Sequence, residues 1–370
     1  MKKIRLSKAS ISNREIQEVS RVMSNEYLGM GQETKVFEQD LAEYLGVPKD
    51  NVVAVNTGTS ALHISLSALG ILPGDEVLVP TTTYVATFQA ISALGAIPIA
   101  CDISPDTVFV DIHDLERKIS PRTKAIMPVH YGSSCKGIEE IYAIARKYNL
   151  RVVEDAAQSF GSLYKGKKVG TFGDIICFSF DGIKNITCGE GGLVVSSDSM
   201  FTEKVRNARL LGVIKDTDMR YSNKRSWDFD VEDQGYRYHL SNINAAIGRV
   251  QLTRIQEFRI KRQSLVKIYL DNLRNVSPLY FDYDEIMPHI FVVRTKNRDG
   301  LRDYLLSNGV EVGTHYKPNH LLSKYKCGSH LPIAEKLERE LISLPLHCDL
   351  SEQDVLYICR LVNEFLNEQS

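Results

Sequence analysis

KAIMPVHYGSSCKGIEEIYAIARKYNLRVVED, residues 124–155, reads as an apolar run, a helical stretch over 138–148 and a second apolar run. Both runs, KAIMPVH (124–130) and RVVED (151–155), are continuously apolar rather than alternating, which marks strands covered by helices on both faces. Strands joined through a helix lie parallel. The same unit recurs upstream in VVAV (52–55), EVLVP (76–80) and IPIACD (97–102), with a helix expected over 60–69. Downstream, DIICFSF (174–180) and GLVVSS (192–197) are separated only by a turn, so one antiparallel pair is expected among otherwise parallel strands. Seven runs predict an α/β fold built on a mainly parallel seven-stranded sheet. After about residue 250 the texture changes to a long charged helix, 251–275, then mixed strands and helices through HIFVVRT (289–295) and SEQDVLYICRLVNEFL (351–366). The expected organisation is a large domain over 1–250 and a smaller α+β domain over 251–370.

The 370 residues are 43% apolar, enough for a large core, and 45 Lys and Arg against 46 Asp and Glu leave a net charge of −1. Such a balance gives no global field for nucleic acid or an anionic membrane, so an anionic ligand must be held locally. The basic stretch RIKRQ (259–263) has acidic neighbours and reads as a solvated helix face. Seven cysteines (101, 135, 177, 188, 327, 348 and 359) include no CxxC pair, which points to reduced thiols in the cytoplasm, with Cys101 and Cys177 as small core residues. The first residues, MKKIRLSKAS, lack a following apolar run, and no membrane span or export signal is expected. Scattered histidines, with only His315 and His320 close together, give no metal motif.

Lys184 stands in FSFDGIKNITCGEGG (178–192), between an apolar run and a glycine-rich turn, with no other lysine or arginine within ten residues on either side. A cation so isolated is a candidate Schiff-base lysine. Asp155 ends the run RVVED, where the strands of an open α/β sheet deliver ligand contacts, and a carboxylate there can pair with a protonated pyridine nitrogen. Glu154 should point the opposite way. NTGTSA (56–61) offers free backbone N–H groups, the hydroxyls of Thr59 and Ser60, and a helix N-terminus, a combination that binds phosphate; it also reads as an ordinary helix cap at Thr59 or Ser60. Tyr84, after EVLVP, can stack on a flat heteroaromatic, and Gln158 and Ser179 complete the set. Neither a Walker loop nor a GxGxxG fingerprint occurs, so nucleotide hydrolysis and hydride transfer lose their usual supports.

These residues lie in blocks that resemble the sugar aminotransferases of the DegT/DnrJ/EryC1/StrS family. The blocks include YLGMGQETKVFEQDLAEYLG (27–46), NTGTSALHISLSALGILPGDEV (56–77), VVEDAAQSFGSLYKGKKVGTFGD (152–174), FSFDGIKNITCGEGG (178–192) and GYRYHLSNINAAIGRVQL (235–252), in the family's order. The resemblance implies the type I aminotransferase fold and pyridoxal 5'-phosphate as cofactor. It makes Lys184 the covalent anchor, puts Asp155 on the pyridine nitrogen and Gln158 beside the 3-hydroxyl, gives the phosphate to Thr59, Ser60 and Ser179, and sets Tyr84 against the ring. It also implies a homodimer with shared active sites, in which the block 235–242 supplies a phosphate contact to the neighbouring subunit. This chain has Arg237 and His239 where many members have asparagine and arginine, so both are candidates for that contact. Asp181 replaces the histidine or aromatic often found after FSF.

The implied reaction passes an amino group from glutamate to a nucleotide-linked keto-deoxy sugar in two halves, with Lys184 moving the proton in each. KNITCGEGG matches members that aminate C4, which implies a 4-keto-6-deoxyhexose and a 4-amino-4,6-dideoxyhexose product for cell-surface polysaccharide such as lipopolysaccharide O-antigen. The carrier, dTDP, UDP or GDP, is open. His315, Tyr316, Lys317 and His320 in GTHYKPNH (313–320), together with Asp181, are candidates for substrate contacts. Amination at C3, a sugar dehydratase and a non-catalytic sugar-nucleotide sensor of the same fold are the alternatives.

Overall fold

The computed structural model describes residues 3–368 apart from Lys215, Ser226, Tyr280 and Cys327, so the cysteine expected at 327 lies outside the described residues. Nine strands come first: β1 (Val52–Val55), β2 (Glu76–Pro80), β3 (Ile97–Cys101), β4 (Thr123–Ile126), β5 (Arg151–Asp155), the short pair β6 (Leu163–Tyr164) and β7 (Lys167–Lys168), β8 (Ile175–Ser179) and β9 (Gly192–Ser196). All but β6 and β7 form a seven-stranded sheet in the order β1-β9-β8-β5-β4-β2-β3. The pairs from β8 through β5, β4 and β2 to β3 are parallel, whereas β9 is antiparallel to both β8 and β1. The expected turn between β8 and β9 therefore reverses a single strand, and the other six share one direction.

Alternation along each strand divides the core into two layers. Val53, Val55, Val79, Val153, Ile175 and Cys177 pack with Leu62 and Ile64 of the helix Gly58–Ala68 and Phe88 of Val85–Ser92. Val52, Ala54, Leu78, Val152, Ile176 and Phe178 pack on the other side with Phe37 and Leu41 of Gln32–Leu45 and Ile141 of Ile138–Tyr148. Apolar residues at every position, rather than every second one, follow from this double cover. Cys101 and Cys177 lie in these cores as expected.

Beyond the sheet, β10 (Ser277–Pro278), β11 (Phe291–Arg294) and β12 (Leu341–Leu344) form an antiparallel sheet. It is covered by Ile255–Asn272, Arg298–Ser307 and Glu352–Asn367, which share a core of Leu265, Tyr269, Phe291, Leu301 and Ile358. Ile4 joins this C-terminal core and bridges to Val310, although it stands at the start of the chain. The long helix expected over 251–275 is a correction: two helices, Asn242–Thr253 and Ile255–Asn272, meet at Arg254, whose φ/ψ of −102/2 leaves the helical region. Its guanidinium is drawn to Glu15 at 3.0 Å and to the Ser10 carbonyl at 3.3 Å.

No helix among the described residues is long and apolar enough to cross a membrane.

Candidate active site

Six of the seven large-sheet strands point their carboxyl ends the same way, and the side chains delivered there converge. Asp155 is the last residue of β5 and Ser179 the last of β8, while Thr57–Thr59 follow β1 and Tyr84 follows β2. Thr59, Tyr84, Asp155, Gln158, Ser179, Asp181, Lys184, His315 and Tyr316 all line one cavity of about 470 Å³.

The turn after β1 makes an anion cradle by a different division of labour from the expected one. Thr57, not Thr59 or Ser60, is the helix cap: its hydroxyl accepts the Ser60 N–H at 2.9 Å, and Ser60 Oγ accepts the Thr57 N–H at 3.0 Å. Ser60 also donates to Asn56 Oδ1 at 2.7 Å and is 4% exposed, so its hydroxyl is spent on the turn and does not line the cavity. The cap satisfies Ser60, which leaves the first-turn N–H groups of Gly58 and Thr59 for a ligand. A Cβ on Gly58 would come within 2.6 Å of Ser179 Cβ, so glycine is what lets the cradle close on the end of β8.

Asp155 and Glu154 point to opposite faces, as their strand positions require. Glu154 meets Tyr142 Oη at 2.5 Å and His130 Nε2 at 2.8 Å beneath the sheet. Asp155 is 6% exposed, and its carboxylate accepts from Thr87 Oγ1 at 2.7 Å and the Ala157 N–H at 3.2 Å, which fixes it at the cavity floor.

Lys184 sits above it on the turn between β8 and β9. Its N–H donates to the Asp181 carbonyl at 3.0 Å, and among the described residues no hydrogen bond or ion pair engages its Nζ. Burial lowers the pKa of the ammonium, and the charges of Asp155 and Asp181 oppose that shift. Asn185, which sequence reasoning passed over, anchors this turn: its Nδ2 donates to the carbonyls of Gln158, Phe160 and Met287 at 3.0 to 3.1 Å. Gln158 accepts from the Gly132 N–H at 2.8 Å and donates to Tyr316 Oη at 2.9 Å.

His315 and Tyr316 reach the cavity on a loop from the C-terminal part. Asn319 docks that loop by donating to the carbonyls of Thr81 at 3.1 Å and Thr83 at 2.7 Å, and Tyr131 Oη donates to the His315 carbonyl. Nothing in the sequence pointed to Asn319. His315 Nδ1 meets Ser343 Oγ at 2.7 Å, and burial together with Lys184 pushes the imidazole down to about 4, so it is neutral at pH 7. Burial and Asp155 push the Tyr316 phenol up. His289, also missed, is buried near Lys184 and is pushed well below the histidine range by burial and by that cation.

Two of the residues expected to contact substrate from this loop do not line the cavity. His320 is 2% exposed, with Nδ1 at 2.7 Å from Thr81 Oγ1 and Nε2 at 3.3 Å from Glu335, so it is part of the docking and not of the cavity. Lys317 is exposed outside the cavity. Arg237 and His239 likewise do not line the Lys184 cavity of their own chain. They line a separate pocket of about 110 Å³ with Asp216, Arg220 and Phe229, where burial and neighbouring arginines push His239 down to about 4.

Among the described residues no group of three or more His, Cys, Asp or Glu side chains is placed to hold a metal.

Comparison with known proteins puts this fold and cavity in the aminotransferase class. The chain belongs to the DegT/DnrJ/EryC1/StrS aminotransferase family, whose sequence model matches residues 9–363. GDP-perosamine synthase of Escherichia coli O157:H7 is 37% identical over 378 residues that cover 100% of each chain. The aminotransferase TlmJ from Streptoalloteichus hindustanus superposes with a TM-score of 0.92 at 32% identity, covering 100% of both chains. Spr1654 of Streptococcus pneumoniae, described as a sugar aminotransferase and solved in its PLP form, gives a TM-score of 0.92 at 28% identity over 99% of each chain. The expected type I aminotransferase fold is thereby met.

Proposed function

We propose that this aminotransferase uses pyridoxal 5'-phosphate to move an amino group from glutamate to a nucleotide-linked 4-keto-6-deoxyhexose. The observation that carries the reading is the amine of Lys184, without a hydrogen-bond or ion-pair partner among the described residues, in a cavity that also holds Asp155 and the Gly58–Thr59 cradle. The residues fit the cofactor: Gly58, Thr59 and Ser179 are suited to its phosphate, Asp155 to its pyridine nitrogen, Gln158 to its 3-hydroxyl and Tyr84 to its ring face. When bound, pyridoxal phosphate supplies a covalent link to an amine and an electron sink for the adjacent carbon.

The chain's own residues then have distinct tasks. Lys184 Nζ, whose pKa burial lowers, takes a proton from the donor's α-carbon in the first half and returns one to the sugar carbon in the second. Asp155, fixed by Thr87 and Ala157, keeps a negative charge at the cavity floor. Tyr316, bonded to Gln158, and neutral His315 form the wall contributed by residues beyond 250, so the cavity lies at the junction of the proposed domains, 1–250 and 251–370.

KNITCGEGG supports amination at C4, and the GDP in the name of the E. coli relative makes a GDP-linked sugar the first acceptor to test beside its dTDP and UDP counterparts. A homodimer is part of the proposal, with a cytoplasmic location and a role in surface-polysaccharide precursors. Lys184 is the only cation among the described cavity-lining residues, while the cofactor and both substrates are anions. Arg237 or His239, absent from their own chain's cavity, are the groups proposed to reach the partner's. A single-turnover assay of the amine-loaded enzyme against 3-keto and 4-keto sugar nucleotides, with product regiochemistry by NMR, tests the substrate. Rejection of every 4-keto sugar sinks the C4 assignment.

A further inference from the structure

The charged lining of the cavity consists of Lys184 and three carboxylates, Asp155, Asp181 and Glu190. Both oxygens of Asp155 are engaged within the protein, by Thr87 and Ala157. Asp181 is held differently. Its N–H donates to Ser179 Oγ at 3.4 Å, its carbonyl accepts from the Lys184 N–H at 3.0 Å, and Oδ1 accepts from the Ile183 N–H at 3.2 Å. Among the described residues no donor reaches Oδ2 and no cation forms an ion pair with it. The carboxylate is therefore oriented by its own turn and presents an open acceptor three residues from the reacting lysine.

Charge decides what this corner accepts. Glu190 lines the same cavity, and its carboxyl is raised by burial and by the charge of Asp181. A phosphate or carboxylate brought to the same place meets that repulsion, whereas a hydroxyl or an ammonium is welcome. The amino donor has one ammonium, which must go to the reacting centre, and its remaining polar groups are carboxylates. The acceptor sugar has hydroxyls on the carbons near its carbonyl.

Resting on the nucleotide-sugar reading above, we propose that Asp181 Oδ2 accepts a hydrogen bond from a hydroxyl beside the sugar's carbonyl. Asp181 thus selects the acceptor and acts on the sugar half of the reaction far more than on the donor half.

The test uses the holoenzyme and times the two halves separately by cofactor absorbance, first with glutamate and then with a nucleoside-diphosphate 4-keto-6-deoxyhexose. In Asp181→Ala the ratio of sugar-half to donor-half kcat/KM falls about 10- to 100-fold, as for one hydrogen bond to a charged group. Asp181→Asn, which keeps an acceptor oxygen, recovers most of the loss. Against a sugar lacking the hydroxyl, Asp181→Ala and wild type differ by less than about twofold, since the shared partner is gone. The cofactor band and melting temperature of each variant report its fold. Equal losses in both halves, which would mean that Asp181 acts through Lys184, overturn the assignment, as does an unchanged ratio. A wild-type enzyme that consumes glutamate but aminates no keto sugar overturns the functional reading itself, and this assignment with it.

Discussion

Lys184 shows how burial and charge set the chemistry of one side chain. Its Nζ makes no hydrogen bond among the described residues, so Lys184→Ala removes no internal partner. Turnover is expected to fall by at least about 10²- to 10⁴-fold, the range for a single proton-transfer group, with little change in melting temperature. Burial lowers the amine's pKa while Asp155 and Asp181 hold it up. Asp181→Asn removes one of those negative charges, so in the cofactor-free protein Lys184 should titrate lower still; pH-dependent amine labelling measures this, and an upward shift contradicts it. Lys184 and Asp155 were legible in the sequence because each ends or follows an unmistakable apolar strand. Asn185 was not, because its carbonyl partners lie 25 to 102 residues away and no local pattern encodes such a contact. Ser60 was misread for a subtler reason: whether a hydroxyl caps a helix or faces a ligand depends on which residue starts the helix, and NTGTSA offers three choices.

The turn after β1 and the loop 313–322 are the elements that turn a sheet edge into a cavity. Thr57→Ala removes the cap of the helix Gly58–Ala68 and should cost about 1 kcal/mol of stability in chemical denaturation. Gly58→Ala forces Cβ against Ser179, so cofactor affinity should drop by more than stability does. The loop carries a pH dependence of its own. His315 is pushed from 6.5 down to about 4, so the unfolded chain binds a proton that the folded one refuses between those values. Stability contributed by neutral His315 is therefore present above about pH 6.5 and lost as pH falls toward 4. His315→Gln should flatten part of that acid loss in melting curves. His239, pushed to the same value, should account for a further part. The strands and covering helices were readable from apolar continuity, whereas the break at Arg254 was not, since Thr253 and Arg254 interrupt no sequence pattern and the contacts that bend the chain come from Ser10 and Glu15.

For the whole molecule, the two-layered core explains why fold class was the most legible feature. Every strand run is apolar on both sides, and only a doubly covered sheet accommodates that. Assembly lies beyond the single chain and is open to complementation. If Arg237 and His239 serve the partner's cavity, a mixed dimer of Lys184→Ala and Arg237→Ala/His239→Ala subunits contains one intact site. An equal mixture of the two inactive proteins, reassembled, should recover about a quarter of wild-type activity, given random pairing of symmetric dimers. No recovery places those residues in service of their own chain. The most direct check on the function itself is borohydride reduction of the purified protein with pyridoxal phosphate, followed by peptide mass analysis. A visible-edge absorbance band that glutamate abolishes, with one pyridoxyl group trapped on the peptide carrying Lys184, is the expected result. Absence of the band, or a label on any other lysine, contradicts it.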